Sequence, residues 1–110
     1  MSFVATSKVQ FPIELATKVH ALGLSMIPVA KTQPGLIHVA FHASEYWHKT
    51  GGRAESACRD EAVMYWEWED EASHQACMQS QAWQQLMSSS SVLFERDDVA
   101  FEIQSYYRLR

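Results

Sequence analysis

Two histidines, His38 and His42, stand four residues apart in a stretch that alternates apolar and polar side chains. In a strand that spacing puts both on one face, roughly 13 Å apart, too far for one metal ion to bridge. Each is better suited to proton transfer, because an imidazole titrates near neutral pH and can take the proton of a phenolic or enolic hydroxyl; a hydrogen-bonded interior histidine is the plainer alternative for both. Trp66, Trp68, Met64, Phe41 and Trp83 can provide the apolar walls of a pocket from facing elements, with Thr6, Tyr65 and Tyr106 as polar groups. Burial in a core or an interface is the plainer reading of Trp68. The acidic run Glu67, Glu69, Asp70 and Glu71 reads as a charged strand end and helix start rather than as a pair of catalytic carboxylates. No GxGxxG, phosphate-binding loop, HExxH or GxSxG is present. Cys58 and Cys77 lie nineteen positions apart without a CxxC or CxxH context, so no metal site is signalled. Both are expected to be reduced thiols, Cys77 packed as a small apolar residue and Cys58 exposed. His20 has the spacing of neither a ligand nor a base, and His48 and His74 are expected to be solvated.

The elements that would position these residues follow from periodicity. Phe3 to Phe11 alternates as a first strand, with Phe3, Ala5, Ser7, Val9 and Phe11 on one side. After Pro12, Leu15, Val19, Leu22 and Met26 recur at helical spacing through about Lys31, with Pro28 expected to kink or end the helix and Pro34-Gly35 to complete the break. Leu36 to Ser44 is a second strand, with Ile37, Val39 and Phe41 on one face and Leu36, His38, Ala40 and His42 on the other. Glu45 to Asp60 is polar, centred on Gly51-Gly52, and longer than a tight hairpin needs. Its Tyr46, Trp47, His48 and Arg53 suit a pocket cap, a reach across a dimer interface, or an ordinary solvated extension. Ala62 to Glu69 is a third strand, apolar on both sides of its first half, which calls for cover on both faces. A second helix is expected from about Glu71 to Ser89, with Ala72, Ala76, Trp83, Leu86 and Met87 along its inner stripe. Val99 to Leu109 is the last strand.

At 110 residues, 47% hydrophobic and 20% charged, the chain has the size and composition of a single domain, 1–110. Nine Lys plus Arg against thirteen Asp plus Glu gives a net charge of −4. With no basic block, nucleic acid is not an expected partner. The N-terminal segment lacks the pattern of a signal peptide and no apolar run looks long enough to cross a bilayer, so no membrane partner and a cytoplasmic location are expected. A sheet with helices on one face leaves its other face to be covered, which predicts a homodimer.

A further pattern joins these elements. Trp68-Glu69 closes a strand, Asp70-Glu71 opens a helix, Ser80-Gln81-Ala82 follows inside it, and Gln33-Pro34-Gly35-Leu36 breaks the chain upstream. This arrangement resembles the antibiotic biosynthesis monooxygenase family. The resemblance implies an α+β, ferredoxin-like β-α-β-β-α-β domain with a four-stranded antiparallel sheet, paired in a dimeric α+β barrel. It also implies oxygenase chemistry on an aromatic or quinol-like small molecule without metal, flavin or haem, the ionised substrate itself giving an electron to oxygen. Trp68 resembles the strand-three tryptophan of the family's haem-degrading branch. The other residues of that branch, a strand-one Asn and a His late in the second helix, are replaced here by Thr6-Ser7 and Leu86-Met87, which weighs against haem. The alternative within the fold is a non-enzymatic dimer whose aromatic pocket holds a metabolite.

Overall fold

Alternating side chains from Ser2 to Pro12 form β1, which has a hydrogen-bonded neighbour on each side and therefore sits inside the sheet. The computed structural model describes residues 1–44 and 59–109. A short 3₁₀ turn, Ile13–Leu15, leads from Pro12 into α1, Ala16–Lys31, and strands β2, Leu36–Ala43, and β3, Arg59–Trp68, follow. Helices α2, Glu71–Gln79, α3, Gln81–Ser89, and α4, Ser91–Phe94, then lead to β4, Ala100–Arg108. The strand order is β2-β3-β1-β4, antiparallel throughout, which is the ferredoxin-like arrangement. Of the Glu45 to Asp60 segment, residues 45–58 lie outside the described residues, so the expected roles of Tyr46, Trp47, His48, Arg53 and Cys58 do too. Arg59 and Asp60 belong to β3 rather than to a loop.

The helices cover one face. Phe3, Ala5, Val9 and Phe11 of β1 and Ala62, Met64, Trp66 and Trp68 of β3 are buried on that face, against Val19 and Leu22 of α1, Cys77 of α2, Trp83 of α3 and Leu93 of α4. Helix α1, together with its 3₁₀ lead-in, is long and apolar enough to cross a membrane by length and composition alone, unlike the expectation from the sequence. Its Leu15, Val19, Leu22 and Ala30 are buried in the core instead. Pro28 does not end α1, which continues to Lys31.

Two local features change the expected faces. β2 pairs Leu36 with Trp68 and His38 with Glu67, so a bulge at Ile37 puts Leu36 against the core and leaves Ile37 53% exposed. The expected second helix is divided at Ser80, whose backbone is extended (φ −65°, ψ 150°). The Ser80 hydroxyl donates to the Cys77 carbonyl at 2.7 Å and accepts from the Trp83 N–H at 3.3 Å, ending one helix and capping the next. The break changes the phase of the preceding turns. Ala72 and Ala76 are exposed, and His74, Cys77 and Met78 turn inward instead.

The two sequence markers meet in space. Gly35 takes φ +88°, and its carbonyl accepts the Glu69 N–H at 2.7 Å. A Cβ on Gly35 would stand 2.6 Å from the Cβ of Ser73, so only glycine lets the turn after α1 lie on the first turn of α2. Asp70 caps that turn by accepting the Ser73 N–H at 2.8 Å, and hydrogen bonding by the Ser73 side chain, followed by this N–H, holds its carboxyl below the ordinary range. Gly35→Ala is expected to lower the unfolding free energy by roughly 2 kcal/mol or more, from positive φ and steric contact together. Ser80→Ala is expected to cost about 1 kcal/mol through loss of the cap. Urea unfolding midpoints measure both, and an unchanged midpoint in Ser80→Ala would mean that packing alone sets the helix break.

Candidate functional site

Between the β1–β4 half of the sheet and the three C-terminal helices lies a cavity of about 330 Å³. Ala5, Thr6 and Ser7 of β1 and Phe101 and Ile103 of β4 form its floor, and Trp66 of β3 and Met26 of α1 stand at one side. The roof comes from His74 and Met78 of α2, Trp83 and Met87 of α3, and Phe94 of α4. The wall is apolar apart from the Ser7 hydroxyl, one imidazole and the β1 backbone at Thr6, whose side chain is on the outer face with Tyr65, the composition of a site for a small, mostly apolar ligand.

Aromatic rings frame the imidazole. His74 lies 5.2 Å from Phe3, 6.0 Å from Trp68 and 6.4 Å from Trp66, centroid to centroid. Trp66 stacks on Trp68 at 6.2 Å and meets Trp83 edge-on at 5.2 Å. Burial among these rings lowers the His74 pKa from its ordinary 6.5, and the nearby Glu71 carboxylate partly opposes the shift. The imidazole is therefore neutral at neutral pH. Glu71 also accepts a hydrogen bond from Tyr107 of β4 at 2.9 Å, which raises the Tyr107 pKa and fastens β4 to α2 beside His74. Beneath the tryptophans, Cys77 is fully buried, and desolvation pushes its thiol up to about 11, in agreement with an inert packed cysteine.

The residues singled out from sequence divide into three groups. Trp66 and Trp83 line the cavity with their rings, whereas Thr6 reaches it only through its backbone, its side chain being on the outer face opposite Tyr65. Trp68, Met64 and Phe41 lie on the same side of the sheet but away from its wall: Trp68 is 0% exposed and supports Trp66 from behind, and Met64 and Phe41 pack toward α1. The Trp68 Nε1 has no hydrogen-bond partner among the described residues. His38 and His42 are on the opposite, outer face, both exposed, with the His38 ring 5.8 Å from Tyr65. The sheet separates them from the tryptophans, so within this chain neither can act on a molecule in the cavity. Alternation assigned them correctly to one face but did not say which face the helices cover.

His74 is the functional candidate that the sequence reading missed. Its signal was the i, i+3, i+4 set His74, Cys77 and Met78, legible once Ser80 is taken as a cap rather than as an interior helical residue. His20 is half-buried between Phe11 and Phe41, and burial lowers its pKa too, but it is not part of the cavity wall.

The outer face carries a different cluster. Glu67 is 5% exposed and accepts hydrogen bonds from the Ser2 hydroxyl and from Arg108 at 3.0 and 3.2 Å. The Ser2 hydrogen bond, followed by Arg108, holds its carboxyl below the ordinary range. Among the described residues, no group of three or more His, Cys, Asp or Glu side chains is placed to hold a metal ion.

No protein-family model and no curated protein sequence matches the chain. Solved structures do. A conserved protein of Methanosarcina mazei superposes with a TM-score of 0.70 at 18% identity, over 98% of this chain and 93% of that one. SnoaB, a cofactor-independent oxygenase of Streptomyces nogalater solved as a point mutant, gives 0.67 at 7% identity, over 99% and 94%. A Deinococcus radiodurans protein provisionally assigned as an antibiotic biosynthesis monooxygenase gives 0.69 at 9% identity, over 98% and 93%. Identities this low speak for the fold alone, and the fold is the one expected from Trp68-Glu69, Ser80-Gln81-Ala82 and Pro34-Gly35: the chain has the α+β fold of the antibiotic biosynthesis monooxygenases.

Proposed function

We propose that the protein is a cofactor-independent oxygenase that acts on a planar, hydroxylated aromatic or quinol-like molecule, working in the cytoplasm as a homodimer joined through the outer face of the sheet. The observation that carries this reading is one neutral imidazole, His74, set into a cavity otherwise walled by tryptophan, phenylalanine and methionine. Trp66 and Trp83 hold the ring system by stacking and edge contact. His74 takes the proton of the substrate hydroxyl, and the Glu71 carboxylate favours the imidazolium that results.

The substrate anion then gives one electron to dioxygen, and the two radicals join in a carbon–oxygen bond. The peroxide anion takes back the His74 proton; the O–O bond then breaks as the hydrogen on the attacked carbon leaves as a proton, and the departing hydroxide takes up that proton to leave as water. One oxygen atom ends in a carbonyl and the other in water, and the substrate supplies every electron. The apolar wall assists by excluding water from the peroxide.

The runner-up is a binding protein in which the same cavity only retains an aromatic metabolite; it is favoured by the fact that His74 is the one ionisable group in the described wall. Oxygen uptake by the purified protein against quinols, anthrones and related phenols separates the two, with saturable uptake expected. His74→Gln is expected to lower kcat/KM by ~10²–10⁴ while leaving ring binding in place. His38→Ala and His42→Ala, across the sheet, should leave turnover unchanged; loss of turnover in either one, with His74→Gln active, would return the base to the outer face. Because the neutral imidazole is the working form and burial lowers its pKa, the acid limb of activity should have its midpoint below the ordinary 6.5 of a histidine. A pH profile of kcat/KM checks the position of that acid limb, and its disappearance in His74→Gln identifies the group.

A further inference from the structure

Beside the main cavity is a second, much smaller one of about 30 Å³. Ser7, Met26 and Phe101 line both spaces and so form the partition between them. The rest of its wall includes Val9, Val19, Leu22, Met64, Leu93 and Val99, all buried. The volume exceeds the ~10–15 Å³ needed by one water-sized sphere, but a buried water also needs about two to four polar partners. Among the described residues, the Ser7 hydroxyl is the one polar side-chain group in this wall, and the β1 backbone beside it is taken up by pairing with β3 and β4. A space of this kind holds water poorly. Its lining atoms lack contacts on one side, and a small apolar molecule restores them.

We infer that the small cavity is a binding site for dioxygen, which it delivers to the substrate cavity across the partition of Ser7, Met26 and Phe101. Dioxygen is an apolar diatomic that makes little use of hydrogen bonds, so an apolar space of this size suits it better than it suits water. Met26 is an unbranched, flexible thioether, the kind of side chain that can move aside for a small molecule. The choice of dioxygen among small apolar molecules rests on the oxygenase reading above, whereas occupancy by an apolar gas does not.

Xenon is the probe, read by methyl NMR of the full chain under pressure. Saturable shifts are expected at the Val19, Leu22 and Leu93 methyls. Val19→Ile, which fills the space with one more carbon, should abolish them and raise the KM for oxygen several-fold while the KM for the organic substrate stays put. Val99→Ile serves as a second filling variant if the first does not fold. Xenon shifts that are absent, or confined to Met78, Met87 and Ile103 of the main cavity, would overturn the inference, as would a folded filling variant with an unchanged KM for oxygen. Oxygen uptake without xenon binding removes this site and leaves the oxygenase reading standing; xenon binding without uptake of oxygen on any substrate removes the reading, and the dioxygen assignment with it.

Discussion

The start of α2, and with it the position of His74 in the roof of the cavity, is placed by the contact between Gly35 and the first turn of that helix. The Gly35 carbonyl receives the Glu69 N–H, and its bare α-carbon lies against Ser73. The turn after α1 and the exit of β3 are thereby locked together, and α2 starts at one fixed residue. Helical phase then does the rest: with Asp70 as the cap, His74 and Cys77 face inward, among the rings of Phe3, Trp66 and Trp68. A start displaced by one residue would turn the imidazole about 100° around the helix, away from the cavity. The Pro-Gly break and the Trp-Glu-Asp-Glu junction, far apart in sequence, are two sides of this single contact.

The strands were legible because their signal is strong and local. The two-residue alternation in Phe3 to Phe11 and Ala62 to Trp68 identified the inner residues correctly, and the register confirms that Trp66 and Trp68 share a face. What alternation cannot encode is a bulge: the extra residue at Ile37 moved Leu36 to the core side, against its sequence parity. Nor does it say which face of β2 is covered, and that decided the fate of His38 and His42. The second helix was misread for a related reason. Serine is a tolerable interior helical residue as well as a good cap, and only the extended backbone at Ser80 settles the choice. Treating 71–89 as one continuous helix gave the inner stripe to Ala72 and Ala76 and put His74 outside. The cavity is built by the end of one helix, the start of another and an edge strand, so no single stretch of sequence displays it.

The two faces of the sheet divide the physical work. On the helical face, aromatic and thioether groups surround one imidazole that burial keeps uncharged. On the outer face, a carboxylate is withdrawn from solvent but remains ionised, because Ser2 and Arg108 supply its hydrogen bonds. Arg108 reaches Glu67 from the last residue of β4, and Tyr107, next to it, reaches Glu71 on the other side. One end of the edge strand is thus fastened on both faces, although its side chains are otherwise exposed along its whole length.

The methionines of the cavity wall have a consequence for recognition. Met26, Met78 and Met87 are unbranched and can take up new rotamers at low cost, whereas Trp66 and Trp83 are braced by ring contacts with each other and, through Trp66, with Trp68. The chamber therefore has one stiff aromatic corner, where Trp66 and Trp83 meet at 63°, and yielding sulfur-bearing sides. A guest of different outline is accommodated by moving methionine side chains, while the aromatic corner keeps its shape.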